Sequence, residues 1–354
     1  MKAKLAVLGG GNTGCIMAAE FTLRGFDVTL YEDRSYWHEH IDDIVAKDNT
    51  VTVTGNDLTG DARIARITDD LQEALHDADI VFVAIVSWRH QEIIDKLKTT
   101  LREGQVVIFS AGNFASVRLR KALGEDFPVV VGEMMGNIFP CRMTGGNRAV
   151  IAMPLKGKMV AAFPAVDTPK LMEAAGQVFD CTPGKNVLDT AFNSPNVVIH
   201  VAVSLMNMAN AEKYEHFAMY QAGLSPSVLK CVQAVENEKQ ALMEKMGYHQ
   251  VSHLGHLEHL MAYGEYPELE LFRSLEGPNS RLHRYINEDA YCGDCMILSL
   301  AERIGLEMPM LRAYMKIASC INDIDYVFEG ITLDKLGVTG ETPDEINTYL
   351  DYGK

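Results

Sequence analysis

The sequence predicts an α/β chain, in which a doubly wound parallel sheet is followed by a second, mostly α-helical domain. Short apolar runs alternate with helical patterns through the first half, as in a parallel sheet covered by helices. Several of these runs are β-branched and apolar on both faces, which is typical of strands buried inside a sheet. Strand signals become scarce in the second half. We therefore expect one domain over residues 1–183 and another over residues 184–354.

Apolar runs and helical spacings predict the individual elements in order. In the first domain we expect strands at residues 4–8, 27–31, 80–86, 106–110, 129–131, 149–153 and 159–163. Helices are expected between them, at residues 14–24, 91–101, 117–123 and 169–178. Turn-forming residues at 181–185 predict a break between the domains. The second domain should hold long helices at 195–211, 227–246, 295–304 and 310–321, with a polar, loosely docked tail after Gly330.

Charge and composition exclude several classes of partner. The 354 residues include 48 acidic and 32 basic ones, and the formal net charge of −16 repels nucleic acid and anionic lipid. No apolar stretch approaches the roughly 20 residues that a membrane helix requires, and the first residues do not form a secretory signal. Seven scattered cysteines, an odd number, fit a reducing compartment. We therefore expect a cytoplasmic protein; the sequence leaves its oligomeric state open, with a homodimer as our expectation.

A glycine-rich loop at residues 9–14 directly follows the first strand and opens the first helix. It reads Gly-Gly-Gly-Asn-Thr-Gly and satisfies the pattern G-x-G-x-x-G. Gly9 allows the tight turn, Gly11 lets the backbone approach a pyrophosphate, and Gly14 lets the helix pack closely on the strand. Asn12 and Thr13 begin the helix, whose N-terminal N–H groups face the phosphates. This context predicts a Rossmann-type domain that binds a dinucleotide cofactor.

The end of the second strand bears on the choice of cofactor. Glu32 occupies the place where an acidic residue accepts hydrogen bonds from the adenine ribose, and its charge would repel a 2′-phosphate. Arg34 follows two residues later and has the charge to pair with such a phosphate. A solvated loop carboxylate is the alternative interpretation of Glu32. The sequence therefore favours NAD and leaves NADP open.

A histidine near the start of the second domain is a candidate proton donor. A dehydrogenase needs such a donor near the carbon that receives hydride, and histidine suits this role at neutral pH. His200 lies in the apolar helix predicted at residues 195–211, and Asn196, four residues earlier, shares its face. Taken alone, a histidine in such a helix is more often a hydrogen-bonded core residue.

Charged residues gather at positions 284–289, just before another apolar helix. Arg284 has the guanidinium geometry to grip a carboxylate with two parallel hydrogen bonds. Asp289 is the residue type that orients a histidine ring and favours its protonated form. Surface ion pairs at a helix cap are the alternative interpretation of this run.

The chain resembles the opine (octopine/nopaline) dehydrogenase family over nearly its whole length. The matching segments come in the family's order, at residues 9–14, 112–114, 133–142, 186–189, 193–200 and 284–289. The resemblance implies that His200 is the catalytic acid/base and Asp289 its partner. It further implies that Arg284 holds the carboxylate of a keto acid. The chain departs from the family after Asp289, because Tyr291 stands where a proline is usual.

The same resemblance implies a reaction. An opine dehydrogenase uses NAD(P)H to condense an α-keto acid reductively with an amino acid or amine, and it catalyses the reverse oxidation. Two alternatives stay open, namely a related Rossmann dehydrogenase that reduces a simple keto or hydroxy acid without an amine, and a non-enzymatic dinucleotide sensor. A sensor would need none of His200, Asp289 and Arg284, so their presence together favours an enzyme.

Two further groups of residues are weaker candidates for chemistry. Cys292 and Cys295 form a lone C-x-x-C, without the second pair that a zinc ribbon needs. Four histidines follow each other closely: His249, His253, His256 and His259. Their spacing would let three of them line one helix face, but no carboxylate-rich cluster accompanies them. We therefore expect no metal site.

Overall fold

The computed structural model describes residues 2–55 and 58–354, which divide into two compact units. The division falls between Val187 and Leu188, four residues beyond the boundary expected from the sequence. Secondary structure matches the predicted fold class: strands and helices alternate before the division, and helices dominate after it. In the described residues no helix has both the length and the apolar character needed to cross a bilayer.

The first unit is built on a large sheet, with a smaller sheet beside it. The strands are β1 (Lys4–Leu8), β2 (Asp27–Tyr31), β3 (Thr50–Gly55), β4 (Gly60–Arg63), β5 (Arg66–Thr68), β6 (Ile80–Val83), β7 (Val106–Ser110), β8 (Val130–Met134), β9 (Cys141–Gly145), β10 (Arg148–Ile151), β11 (Lys158–Ala162) and β12 (Cys181–Pro183). Eight strands form the large sheet in the order β12-β11-β8-β7-β6-β1-β2-β5. Its described neighbours pair in parallel, except that β11 runs antiparallel to β8. This is the predicted doubly wound parallel sheet.

Helices cover both faces of the large sheet. Along β1, Leu5 and Val7 belong to one cluster of buried side chains, while Ala6 and Leu8 belong to another. Because successive side chains of a strand point to opposite faces, both faces of the sheet are buried. The helices of this part of the chain are α1 (Asn12–Leu23), α2 (Glu39–Ala46), α3 (Leu71–Leu75), α4 (His90–Thr100), α5 (Ala115–Leu123) and α6 (Thr168–Ala175). The next helix, α7 (Val187–Phe192), begins at the division and lies almost wholly in the second unit.

In the first unit one prediction was wrong and one feature was missed. Residues 181–185 do not merely separate the domains, because Cys181–Pro183 is β12 at the edge of the large sheet. A second sheet, with strand order β4-β3-β10-β9, was not predicted, although residues 149–153 were expected to form a strand. This small sheet packs against α1. It therefore covers the helix that begins at the glycine loop.

The second unit consists of helices. They are α8 (Asn196–Met206), α9 (Met208–Lys213), α10 (Met219–Ala222), α11 (Pro226–Met246), α12 (Leu254–Met261), α13 (Glu270–Arg273), α14 (Arg284–Glu288), α15 (Cys295–Arg303), α16 (Pro309–Asn322), α17 (Tyr326–Glu329), α18 (Leu333–Leu336) and α19 (Pro343–Tyr352). The expectation of a loosely docked tail was wrong. Leu333, Ile346 and Leu350 are fully buried, and the Asn347 side chain donates a 3.0 Å hydrogen bond to the carbonyl oxygen of Met246. The tail completes the core of this unit.

A π-helical turn joins two α-helices of the second unit. Asp289–Asp294, here called the π turn, continues α14 into α15 without a break, and the Cys295 N–H donates to the carbonyl oxygen of Ala290. That bond spans five residues, which defines the wider π geometry. A side chain on Gly293 would place its Cβ only 2.9 Å from Val197 of α8. Glycine thus allows the turn to approach α8 closely.

Candidate active site

The glycine loop has the geometry of a phosphate-binding turn. Gly9 has a φ of +113°, which favours glycine, and a Cβ there would lie 2.5 Å from the carbonyl oxygen of Ala84. A Cβ on Gly14 would lie 1.7 Å from the carbonyl oxygen of Gly9, so the helix could not pack this closely with a larger residue. A Cβ on Gly11 would meet nothing nearer than 3.9 Å. The loop therefore leaves room at Gly11 for the close approach of a ligand.

Asn12 and Thr13 open α1, and they differ in which of their groups can still bind a ligand. The Asn12 side-chain oxygen accepts a 2.7 Å hydrogen bond from the Met143 N–H of β9, so the small sheet holds this side chain. The half-buried Thr13 follows on the first turn. No acidic residue stands in the first turn of α1, so the positive end of its dipole is not neutralised there. The backbone at Asn12 and Thr13 is suited to bind phosphate oxygens.

Glu32 is buried at the end of β2 rather than solvated. One carboxylate oxygen accepts a 2.7 Å hydrogen bond from the Gly10 N–H, and the other accepts from the Asp33 N–H at 3.0 Å. Arg89 approaches the same side chain at 3.1 Å and lies over the ring of Tyr36. Glu32 thus braces the glycine loop, and Arg89 partly balances its charge. Arg34, in contrast, is exposed, with its guanidinium carbon 4.8 Å from the ring centroid of Trp37.

Sequence reasoning missed Arg89, because it lies 57 residues beyond its partner Glu32. The signal that could have found it is its position just after β6, a strand neighbouring β1 in the large sheet. Ligands of such sheets bind at the carboxyl ends of the strands. A basic residue there would have been a candidate partner for the acidic residue after β2.

A strained loop follows β7 at the same edge of the sheet. Three of its non-glycine residues have a positive φ: Ala111 (54°), Asn113 (47°) and Phe114 (67°). The buried Glu133 accepts hydrogen bonds from the Phe114 N–H, at 3.1 Å, and from the Ser116 hydroxyl. Burial raises the pKa of Glu133 to about 7, although these bonds oppose the shift. Glu133 holds the loop in place, a role that the sequence did not reveal.

In the second unit, His200 and Asp289 form a buried pair. His200 lies in the middle of α8, and its Nδ1 is 2.7 Å from a carboxylate oxygen of Asp289, the first residue of the π turn. Both residues are about 5% exposed or less. The ring of Tyr285 stacks on the imidazole at a centroid distance of 3.8 Å. The carboxylate fixes the ring orientation and stabilises its protonated form, while Nε2 is directed away from Asp289.

Arg284 and Asn196 lie on the elements that carry this pair. Arg284 is the first residue of α14, with its side chain 27% exposed and one guanidinium nitrogen 3.9 Å from the carboxylate of Glu288. That separation exceeds a hydrogen bond, so Glu288 does not hold the guanidinium in a two-pronged pair. Asn196 is the half-buried first residue of α8, one turn before His200. The structure thus brings His200 and Asp289 into contact, places Asn196 on the helix of His200, and places Arg284 on α14, which runs directly into the π turn that carries Asp289.

The weaker candidates have partners of their own. The His249 imidazole is 2.5 Å from the buried carboxylate of Asp189, and His259 stacks on Tyr266. The part of the chain that the structure describes contains no cluster of three or more His, Cys, Asp or Glu arranged to hold a metal ion. Cys292 and Cys295 are buried thiols that form no disulfide, and burial raises the pKa of Cys295 to about 12.

Two known protein families match this chain, one in each half. The N-terminal part of NAD-dependent glycerol-3-phosphate dehydrogenases matches residues 4–125. The α-helical domain of NAD/NADP octopine/nopaline dehydrogenases matches residues 183–322. The glycine loop and the sheet order agree with the first match. Together these findings define the class of protein, which is an NAD(P)-dependent oxidoreductase.

Full-length relatives narrow the class. An opine dehydrogenase from Arthrobacter sp. (strain 1C) is 28% identical, and the alignment covers 98% of each chain. The structure of octopine dehydrogenase with NADH and pyruvate shares the fold at a TM-score of 0.70 and 17% identity, covering 99% of this chain and 98% of that one. Yersinopine dehydrogenase with NADP+ bound gives 0.66 and 14%, with 99% and 98% covered. The chain is thus similar to opine dehydrogenases over its full length, and its helical part matches the α-helical domain of the octopine/nopaline dehydrogenases.

Proposed function

We propose that this chain condenses an α-keto acid reductively with an amino acid or amine, and catalyses the reverse oxidation. The buried contact between His200 and Asp289 carries the proposal, because an imidazole oriented by a carboxylate is suited to proton transfer. Bound NAD(P)H supplies the hydride. The match of residues 183–322 to the α-helical domain of octopine/nopaline dehydrogenases supports an amine as the second substrate.

His200 handles the proton in this proposal. With Asp289 bound at Nδ1, the Nε2 nitrogen is the one that donates a proton to the substrate during reduction and removes it during oxidation. Asp289 keeps the imidazole in one orientation and stabilises its positive charge. The stacked ring of Tyr285 covers one face of the imidazole, which limits water access and holds its plane. These contacts make His200 a preorganised acid.

Arg284 binds the keto-acid carboxylate. Its guanidinium is partly exposed and is not in a two-pronged pair with Glu288, so it has hydrogen-bond donors to offer a ligand. Asn196, one turn before His200, offers an amide to the substrate's polar groups. The similarity to octopine dehydrogenase, whose structure was solved with NADH and pyruvate, supports a small keto acid as the substrate.

The glycine loop binds the pyrophosphate of the cofactor, with Gly9, Gly11 and Gly14 shaping the turn. Glu32 accepts hydrogen bonds from the hydroxyls of the adenine ribose, and we expect NADH to be preferred over NADPH. The pair with Arg89 supports a smaller preference than an isolated carboxylate would give, because it offsets the charge that repels a 2′-phosphate. The exposed Arg34 is the group that would bind such a phosphate in NADPH.

Oxidation of NADH with pyruvate and other keto acids, with and without a panel of amino acids, tests the proposal. Turnover that requires both substrates supports it, and mass spectrometry should detect the secondary amine product. Rapid turnover with the keto acid alone would favour the simple reductase instead. Binding of NADH without turnover of any pair would favour the sensor. His200→Gln serves as the inactive control in every assay.

We also propose a cellular location and an oligomeric state for the enzyme. The seven cysteines form no disulfide, which supports a reducing cytoplasm as the setting. We expect a homodimer, which light scattering on the purified chain would test directly. A monomer at working concentrations would contradict this expectation.

A further inference from the structure

His38 is a titratable residue beside the glycine loop to which the proposed function gives no part. A Cβ on Gly11 would lie 3.9 Å from the Nε2 nitrogen of His38. Gly11 is the position at which the loop leaves room for a ligand, and backbone N–H groups bind phosphate oxygens at about 2.7–3.2 Å. A phosphate held by the backbone there therefore comes within reach of the His38 ring.

Neighbouring contacts hold the chain around His38 in place. The Trp37 indole donates a 2.9 Å hydrogen bond to a carboxylate oxygen of Asp42, and the His40 Nε2 donates to the carbonyl oxygen of Gly10 at 2.7 Å. The His38 ring stacks on the ring of His40, with centroids 5.1 Å apart and planes 8° from parallel. His38 is exposed, and its side chain does not cap α2, which begins at the next residue. Stacking thus positions the ring while its nitrogens remain available to a ligand.

His40 is the neutral member of this stack. Burial lowers the pKa of His40, and its hydrogen bond to Gly10 offsets only part of the shift. A carbonyl oxygen only accepts, so the Nε2 of His40 carries the hydrogen in that contact. A neutral ring beside His38 lets it take up a proton without a second positive charge against it. Because histidine gains and loses its proton between about pH 5 and 8, the stack is a pH-dependent source of positive charge beside the loop.

Charged groups of both signs surround the stack. β3 packs against α2 and has no titratable side chain. The titratable groups on the segment itself and on the elements next to the glycine loop are Cys15, Glu32, Asp33, Arg34, Tyr36, Glu39, Asp42, Asp43, Arg89, Cys141 and Arg142. Carboxylates outnumber guanidinium groups in this set, which favours a protonated imidazole. Arg89 is paired with Glu32, and Arg34 lies over Trp37.

We propose that protonated His38 binds the diphosphate of the cofactor, so that its titration changes how tightly the first unit holds NAD(H). The imidazolium donates an Nε2–H hydrogen bond to a phosphate oxygen and adds a positive charge to the N-terminal end of α1. When the pH rises and the ring becomes neutral, the contact loses its charge and weakens. This inference rests on the proposed cofactor loop, and it does not depend on the reaction or on the His200–Asp289 pair.

Calorimetric titration with ADP-ribose tests the proposal, because this ligand has the diphosphate and the adenine ribose but neither a nicotinamide nor a 2′-phosphate. Its diphosphate keeps its charge between about pH 6 and 8.5, so a change of affinity in this range reports on the protein. His38→Gln keeps a hydrogen-bond donor without the charge, and His38→Lys keeps a positive charge throughout. His76→Gln is the control, since His76 is also exposed and pairs with Asp77, which contacts Lys4 at the end of β1 opposite the loop.

The wild type should bind ADP-ribose about three- to tenfold more tightly at pH 6 than at pH 8.5, as expected for a charged contact partly screened by solvent. His38→Gln should bind weakly at both pH values, His38→Lys should bind tightly at both, and His76→Gln should behave like wild type. Titrations at pH 7.5 in two buffers of different ionisation enthalpy should show that the wild type takes up a fraction of a proton on binding. His38→Gln should take up none.

Other outcomes would overturn the proposal. Unchanged pH dependence and proton uptake in His38→Gln would exclude His38 from the diphosphate site while leaving cofactor binding intact, and uniform weakening at every pH would indicate a structural role only. A loss that appears with NADPH but not with ADP-ribose would show that His38 contacts a 2′-phosphate instead. Absence of ADP-ribose binding by the wild type would contradict the cofactor loop itself and this inference with it. The substrate assays test the proposed reaction separately.

Discussion

Replacing Asp289 by asparagine isolates what its charge contributes to catalysis. The substitution keeps the shape of the side chain but removes the negative charge that lies 2.7 Å from His200 Nδ1. A protonated imidazole in this buried position would then lack its counter-charge, so His200 would be neutral when the substrate needs a proton. We expect kcat for reduction to fall and the affinity for NADH, measured by fluorescence titration, to stay within about twofold.

The geometry sets the size of the loss. A hydrogen bond to a charged group contributes about 1.5–3 kcal/mol, which corresponds to about a 10- to 150-fold fall in kcat. Complete loss of the acid in His200→Ala should cost more, about 100- to 10,000-fold, as is usual for general acid–base catalysis. Asp289 acts through His200, so adding Asp289→Asn to His200→Ala should lower kcat further by no more than about twofold.

A matched control comes from the same unit. His216 and Glu276 also form an imidazole–carboxylate contact, at 2.9 Å, but their side chains are 74% and 63% exposed. Exposed pairs contribute little, so Glu276→Gln should leave kcat within about twofold of wild type. Steady-state kinetics with both substrates saturating would decide the matter. If Asp289→Asn keeps more than a third of the wild-type kcat, the pair is structural and the proposed acid is wrong.

Three more predictions address the other residues. Arg284→Lys should raise the keto-acid KM by tenfold to a few hundredfold, because lysine cannot make the two-pronged bond; an unchanged KM in kinetics with each substrate varied would exclude Arg284 from binding. Glu32→Gln should reduce the preference for NADH over NADPH in kcat/KM, and a wild type that already prefers NADPH would contradict the role given to Glu32. Glu133→Gln should remove a pH dependence of stability: the raised pKa of about 7 makes wild type lose about 3 kcal/mol of unfolding free energy between pH 4.5 and 7. Denaturant titrations at several pH values test this, and parallel curves for the two proteins would refute it.

Local patterns were enough to predict the large sheet. Strands such as β1, β6 and β7 are apolar on both faces, and a strand buried on both sides needs no information from distant residues to be recognised. The small sheet was different. Its strand β4 is short and mostly exposed, and β3 pairs with β10, which lies about 95 residues further along the chain. Such pairing depends on tertiary contacts that no local pattern contains.

In the candidate site, too, local features could be predicted from the sequence and tertiary contacts could not. Spacing and flanking elements pointed to the glycine loop at residues 9–14, because that motif is local. The roles predicted for His200 and Asp289 depended on the resemblance to the opine dehydrogenases. The burial of Glu32 against Gly10 and Arg89 depends on how β2 and β6 meet the loop. The π turn brings Gly293 close to Val197 of α8, a tertiary contact that helical periodicity alone does not reveal.

The hydrogen bond between Asn12 and the Met143 N–H has a consequence for the order of events on the ribosome. The phosphate-binding helix begins within the first 12 residues and packs against β3, β4 and β9, yet the contact to Asn12 comes from β9, which ends at Gly145. A nascent chain that has exposed only its first hundred residues therefore lacks the strand that holds the Asn12 side chain, and cannot yet form a complete binding loop. Contacts this far apart in sequence also slow folding. The first unit should become resistant to protease in one step, only after β12, the edge strand of its large sheet, has left the exit tunnel.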